Sequence, residues 1–194
     1  MGNLRFTDIL GVLAVAAFLG GCAARGAAGS AIVLSGYRAM HKPGGAPRTG
    51  AHPAIDFDGA IGDPVLAAAD GTVVQVLRDG SGAPCGNGIK LWHSEFNRVT
   101  LYCQLHELRV ELFQGVVRGQ VIGLLGNSGE PSWFPSRTPM LHFGLQDSTH
   151  ARHDGDLQGT FDPASFIVGC FEPGRAYPAD RLVLTYPVRC TDAK

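Results

Sequence analysis

Apolar residues along this chain fall in short runs separated by glycine, proline and aspartate. No stretch of useful length repeats them at the three-to-four spacing of an amphipathic helix. Residues 64–69 and 72–77 are two such runs on either side of Asp70-Gly71. That pair predicts a tight hairpin, because glycine accepts positive φ. Residues 89–93 and 98–103 form a second pair around a turn at 94–97. A further strand over 120–125 follows a turn at 115–119 and stops at Gly126-Asn127-Ser128-Gly129. Beyond a Pro- and Ser-rich loop lies Thr138-Pro139-Met140-Leu141-His142-Phe143-Gly144-Leu145, a strand with one histidine among apolar neighbours. Short strands at close spacing with glycine turns predict an all-β fold, an antiparallel β-sandwich or open barrel.

Composition supports that reading. The apolar fraction of 45% is enough for a real core, and the 27 glycines lie between β-like runs, where they make turns rather than a linker. A net charge of -1 excludes the basic footprint expected of a nucleic-acid binder or of a protein held electrostatically to a membrane. The 194 residues suit one domain with an N-terminal appendage.

That appendage reads as a targeting segment. Arg5 precedes an apolar run over residues 9–19 that is too short to span a bilayer comfortably. The run ends in Leu19-Gly20-Gly21-Cys22, with small residues where a signal peptidase cuts. It resembles a bacterial lipobox, cleaved before Cys22, which is then lipidated. Ala23 after the cysteine, by resemblance to Gram-negative lipoproteins, implies the outer membrane. The lipid would anchor a domain that faces the periplasm. The chain divides accordingly into a lipoprotein signal peptide (1–22), a tether leading into the fold (23–50), a main domain (51–163) and a C-terminal extension (164–194). The apolar residues 32–34 are a possible first strand of the domain.

Four further cysteines, Cys85, Cys103, Cys170 and Cys190, allow three pairings in an oxidising compartment. The hairpin around 94–97 brings the neighbourhood of Cys85 beside that of Cys103. Cys85–Cys103 is therefore the local solution, and Cys170–Cys190 would staple the C-terminal tail. Each bridge closes a loop worth about 3 kcal/mol in the chain-entropy picture. No Cys-x-x-Cys occurs, which argues against a cysteine-rich zinc site.

A lone histidine in a strand is a core residue or a ligand, and a ligand needs partners. His52-Pro53-Ala54-Ile55-Asp56 offers them. Two histidines and a carboxylate form a three-ligand zinc site with a fourth position open to water. Here a resemblance enters. His52-x-x-x-Asp56, the run from Gly62-Asp63-Pro64 through Asp70-Gly71-Thr72-Val73-Val74, Gly119-Gln120-Val121-Ile122-Gly123, Gly126-Asn127-Ser128-Gly129 and Leu141-His142-Phe143 stand in order over residues 51–146. Together they resemble the lysostaphin/LytM-type zinc metallopeptidases, which cut peptide cross-links of bacterial cell walls. Cys85-Gly86-Asn87-Gly88 with Tyr102-Cys103 resembles a subgroup with paired cysteines there. The resemblance implies one Zn²⁺ held by His52, Asp56 and His142, and peptidoglycan stem peptides as substrate.

Two positions depart from that pattern. The family has histidines where this chain has Gln104 and Met140, and those histidines assist proton transfer or stabilise the oxyanion. Gln can donate a hydrogen bond but cannot shuttle a proton, and Met does neither. His106, two residues past Gln104, is a possible substitute if strand alternation puts both on one face. His93 ends a strand and reads as structural. His41, Glu130, His150 and His153 read as surface groups, and Trp133 and Phe134 either wall a groove or pack. Two functions stay open. One is a zinc endopeptidase acting on peptidoglycan with an altered proton relay. The other is a non-catalytic module that binds peptidoglycan or regulates a cell-wall amidase and keeps its zinc site.

Overall fold

The computed structural model describes residues 29–79, 85–129, 138–149 and 157–192. Cys22, the apolar run at 9–19, Glu130, Trp133, Phe134, His150 and His153 lie outside them. The described residues contain thirteen strands. They are β1 (Gly29–Ser30), β2 (Val33–Ser35), β3 (Ala54–Asp58), β4 (Pro64–Leu66), β5 (Gly71–Leu77), β6 (Gly88–His93) and β7 (Arg98–Cys103). There follow β8 (Leu105–Leu108), β9 (Gly115–Val116), β10 (Val121–Leu125), β11 (Met140–Asp147), β12 (Thr160–Phe161) and β13 (Thr191–Asp192). The only helical turns among the described residues are 3₁₀, at Ser94–Phe96 and Pro163–Ser165.

All strand pairs are antiparallel. The eight-stranded sheet runs β2-β3-β11-β7-β6-β5-β9, with β12 added beside β11. A smaller sheet runs β4-β10-β8, and β1 pairs with β13. Alternation along β11 sends Leu141, Phe143 and Leu145 into the core, where they meet Phe57 of β3 and Tyr102 of β7. Val65, Leu105, Ile122 and Leu125 of the smaller sheet close the same core. Each such side chain contributes about 1.5–3 kcal/mol on burial. The same alternation turns Asp56 and His142, which pair across β3 and β11, to the opposite face.

The hairpin at 94–97 forms as expected, with Ile89 opposite Tyr102, His93 opposite Arg98, and Asn97 at φ 51°. The hairpin expected at Asp70-Gly71 does not. β4 pairs with β10 and β5 with β6 and β9, so the two runs belong to different sheets. Ala67, Ala68 and Ala69 are buried as the chain crosses between sheets, and small side chains let it pass through the core. The Asp70 carboxylate accepts from the Arg118 N–H instead of closing a two-residue turn.

The strand expected to run through Gln104 breaks there. Gln104 has φ 67°, and the chain leaves the large sheet at Cys103 and enters the small one at Leu105. The turn holding Cys85 and Asn87 takes over the backbone pairing. Gln104 N–H donates to Cys85 O at 2.8 Å and Leu105 N–H to Asn87 O at 3.0 Å. The alternation that would align His106 with Gln104 is lost at this corner, and His106 stands exposed on β8.

The segment before His52 is built into the fold. Ala31 lies in the core and β2 pairs with β3. At the other end, Cys170–Cys190 ties the tail beside β1 and β13, and Cys85–Cys103 joins the corner to β7. The tail also packs Leu182, Leu184 and Val188 into the core.

Candidate metal centre

His52 enters the site from the residues just before β3, and it is buried. Its Nδ1 lies 3.0 Å from Gly36 O. A carbonyl only accepts, so Nδ1 carries the proton and Nε2 keeps its lone pair for the site. Asp56 and His142 arrive by cross-strand pairing of β3 and β11. The three ligand atoms converge. His52 Nε2 is 3.1 Å from Asp56 Oδ1, His142 Nδ1 is 2.9 Å from Asp56 Oδ1, and the two nitrogens are 3.1 Å apart.

That triangle fits a metal. Ligand atoms about 2.0–2.1 Å from a tetrahedral zinc stand about 3.3 Å from each other, so the three lie close to one face of such a tetrahedron. Two imidazole nitrogens and a carboxylate oxygen also suit zinc by ligand type. His142 Nδ1 lies within hydrogen-bond distance of Asp56 Oδ1, and a nitrogen that binds a metal there must be free of its proton. Burial works against a charge on Asp56. The hydrogen bonds and charges of His142 and His52 outweigh it and hold the carboxyl well below the usual carboxylate range. The carboxylate is therefore ionised, as a ligand must be.

One participant escaped sequence reasoning. Arg48 Nη2 sits 2.8 Å from Asp56 Oδ2, and its side chain is 16% exposed against 1% for Asp56. The available signal was its position in the loop four residues ahead of His52. No periodicity marks it.

The other expected residues fall around this centre. Met140 lies two residues before His142 on the same face of β11, nearly buried and opposite Asp58. Gln104 is buried and follows Cys103, the residue paired with His142. His93 is buried away from the ligands, with Nδ1 2.6 Å from Asp70 O and Nε2 2.9 Å from Thr100 Oγ1. His41 is exposed, and its carbonyl accepts from Arg48 Nε at 3.2 Å.

Comparison with known proteins places the chain in a family. The chain is 37% identical over 92 residues to an uncharacterized metalloprotease of Haemophilus influenzae, covering 47% of this chain and 18% of that protein. It is 37% identical over 98 residues to the peptidoglycan DD-endopeptidase ShyA of Vibrio cholerae, covering 50% of this chain and 21% of the relative. The chain thus spans a minor part of the length of both relatives. The catalytic domain of lysostaphin from Staphylococcus simulans superposes with a TM-score of 0.56 at 25% identity, over 70% of this chain and 91% of that domain. Residues 50–154, more than half of the 194, match peptidase family M23. His52, Asp56 and His142 all fall within the matched span and meet at one point in the fold, and the chain belongs to that family.

Proposed function

We propose that this chain binds one zinc ion through His52, Asp56 and His142 and acts as a metalloendopeptidase on peptidoglycan stem peptides. It would do so from a lipid anchor at Cys22, on the periplasmic side of the outer membrane. The observation that carries the reading is the triangle of His52 Nε2, Asp56 Oδ1 and His142 Nδ1. Similarity to a peptidoglycan DD-endopeptidase and to the lysostaphin catalytic domain supports the substrate class.

A zinc ion at this position would polarise a scissile carbonyl and lower the pKa of a water at its open site. The chain's own residues supply the rest. Gly36 O fixes the His52 tautomer, and Asp56 stays ionised. Gln104, at the corner beside the His142 pairing partner, has an amide that can donate to a developing oxyanion. It cannot carry a proton. Met140 on the ligand face can do neither. A positioned general acid or base is worth about 10²–10⁴-fold, and two that act as a unit do not multiply. The rate should therefore fall well below that of an enzyme with both histidines.

Gln104 and Met140 favour a second reading, in which the same centre binds stem peptides without cutting them or the chain regulates a cell-wall amidase. Digestion of purified peptidoglycan by the zinc-loaded chain separates the two. Fragments would be read by mass spectrometry, with a chelated control and a Gln104→His/Met140→His variant. Zinc-dependent release by the unsubstituted chain is the expected result. Release by the double variant alone would establish the binding module.

A further inference from the structure

Asp56 offers its two oxygens to different partners. Oδ1 faces His52 Nε2 and His142 Nδ1, while Oδ2 accepts from Arg48 Nη2 at 2.8 Å. Arg48 is itself fixed. Its Nε donates to His41 O at 3.2 Å, its Nη2 also reaches Ser35 Oγ at 3.2 Å, and its backbone N–H donates to Met40 O at 2.9 Å. These contacts come from β2 and from a loop over residues 38–52. Arg38 N–H to His52 O at 2.7 Å and His52 N–H to Ala39 O at 3.1 Å close that loop. The loop that carries the arginine is therefore clasped by the backbone of one ligand, while its guanidinium holds the carboxylate of another.

A carboxylate can bind a metal through one oxygen or through both. With Oδ2 held by Arg48, two-oxygen binding would compete with that ion pair for the same oxygen. We infer that Arg48 is a positioning residue that restricts Asp56 to single-oxygen ligation, so that the centre keeps a low coordination number and an open position. This rests on the metal-centre reading above. Charge and geometry make opposite demands on Arg48. A cation close to a metal site weakens binding by repulsion, whereas an outer partner that orients a ligand strengthens it, typically by about 10- to 100-fold. Lysine keeps the charge but lacks the planar fork that reaches Asp56, Ser35 and His41 together. An Arg48→Lys variant therefore distinguishes positioning from charge.

The test is cobalt(II) loading of the full chain, because the intensity of the visible d–d bands is strong for four ligands and weak for five or six. Zinc affinity is measured alongside by chelator competition. The unsubstituted chain should give an intense band. Arg48→Ala and Arg48→Lys should both give a weak one, with zinc affinity lower by about 10- to 100-fold. Ser35→Ala removes one anchor of Arg48 and a 3.4 Å contact to His52 Nδ1 while leaving the Arg48 ion pair. Its band intensity rather than its affinity therefore reports on Arg48, and a smaller fall in intensity is expected even if Arg48→Ala does not fold. Bands and affinities equal to those of the unsubstituted chain in folded Arg48→Lys and Ser35→Ala would overturn the inference and leave the metal centre standing. A band retained in Arg48→Lys but lost in Arg48→Ala would assign Arg48 a charge role and overturn positioning. Failure of the unsubstituted chain to bind either metal would overturn the centre itself.

Discussion

His52 and His93 are both buried, and their hydrogen bonds give them opposite roles. His52 spends one nitrogen on Gly36 O and keeps the other for the site. His93 spends both, on Asp70 O and Thr100 Oγ1, and Thr100 Oγ1 lies 3.3 Å from the Tyr102 hydroxyl. Burial holds the His93 pKa below its ordinary 6.5, so it stays neutral in the folded chain. The unfolded chain takes up that proton first as pH falls. His93 therefore contributes stability that is fully present above pH about 6.5 and is lost as pH drops toward its folded value, by at most about 1.4 kcal/mol per pH unit. Urea unfolding between pH 8 and pH 5 should show this slope, and His93→Gln should flatten it. At the ligands, Asp56→Asn keeps shape but removes the charge that Arg48, His52 and His142 share. Zinc affinity should drop by more than tenfold in chelator competition. The cluster of His52, Asp56 and His142 was legible from the sequence because the His-x-x-x-Asp spacing and the lone histidine of a strand match a family pattern. Arg48 was not, because its role exists only once a loop folds back onto β3.

Among the elements, the sequence distinguished poorly between a turn that joins two paired strands and one that moves the chain between sheets. The turn at 94–97 and the turn at Asp70-Gly71 are both flanked by apolar runs, yet only the first is a hairpin. The difference lies in three consecutive buried alanines ahead of Asp70, which mark passage through a core rather than an edge. The corner at Gln104 was hidden in the same way, since its cause is a turn nearly twenty residues upstream. That turn docks on the one at 126–129. Asn87 N–H donates to Ser128 Oγ at 2.9 Å, and Ser128 Oγ donates to Leu105 O at 2.8 Å. Gly86, at φ 63°, brings its Cα against the backbone of Ser128 and Gly129. A Cβ there would collide with main chain that cannot give way. Gly86→Ala should destabilise by about 3 kcal/mol, from strain at positive φ and from overpacking. Ser128→Ala, which strands the Asn87 N–H without a collision while Leu105 O keeps the bond from Asn87 Nδ2 at 3.1 Å, should cost about 1–2 kcal/mol. Chemical denaturation of both variants checks the order.

For the whole molecule, the span that matches the family and the span that closes the core are different. The match ends at residue 154, but Leu182, Leu184 and Val188 belong to the same core cluster as Phe57 and Phe143. Tyr186 packs edge-on to Phe57, the neighbour of Asp56, with ring centres 5.9 Å apart. Thr185 N–H donates to Ala68 O at 2.9 Å and Leu66 N–H to Pro187 O at 2.8 Å, so the tail also satisfies main chain at the crossing between sheets. Arg118 braces it from the other side, donating to Val183 O at 2.9 Å. None of this follows a strand pattern, which is why the sequence showed the tail only through its cysteines. Two variants separate the tail's packing from its covalent tie. Cys170→Ser/Cys190→Ser should fold with stability lower by about 3 kcal/mol, because the bridge mainly limits the unfolded chain. Removal of residues 164–194 withdraws at least three buried apolar side chains, about 5–9 kcal/mol at the usual value for each, against a total stability of about 5–15 kcal/mol. The truncated chain should lack dispersed amide signals in a two-dimensional NMR spectrum, and the double serine variant should retain them. A well-dispersed spectrum from the truncated chain would mean that the two sheets close without the tail. The contacts of Leu184 and Tyr186 would then cover a core that is already complete.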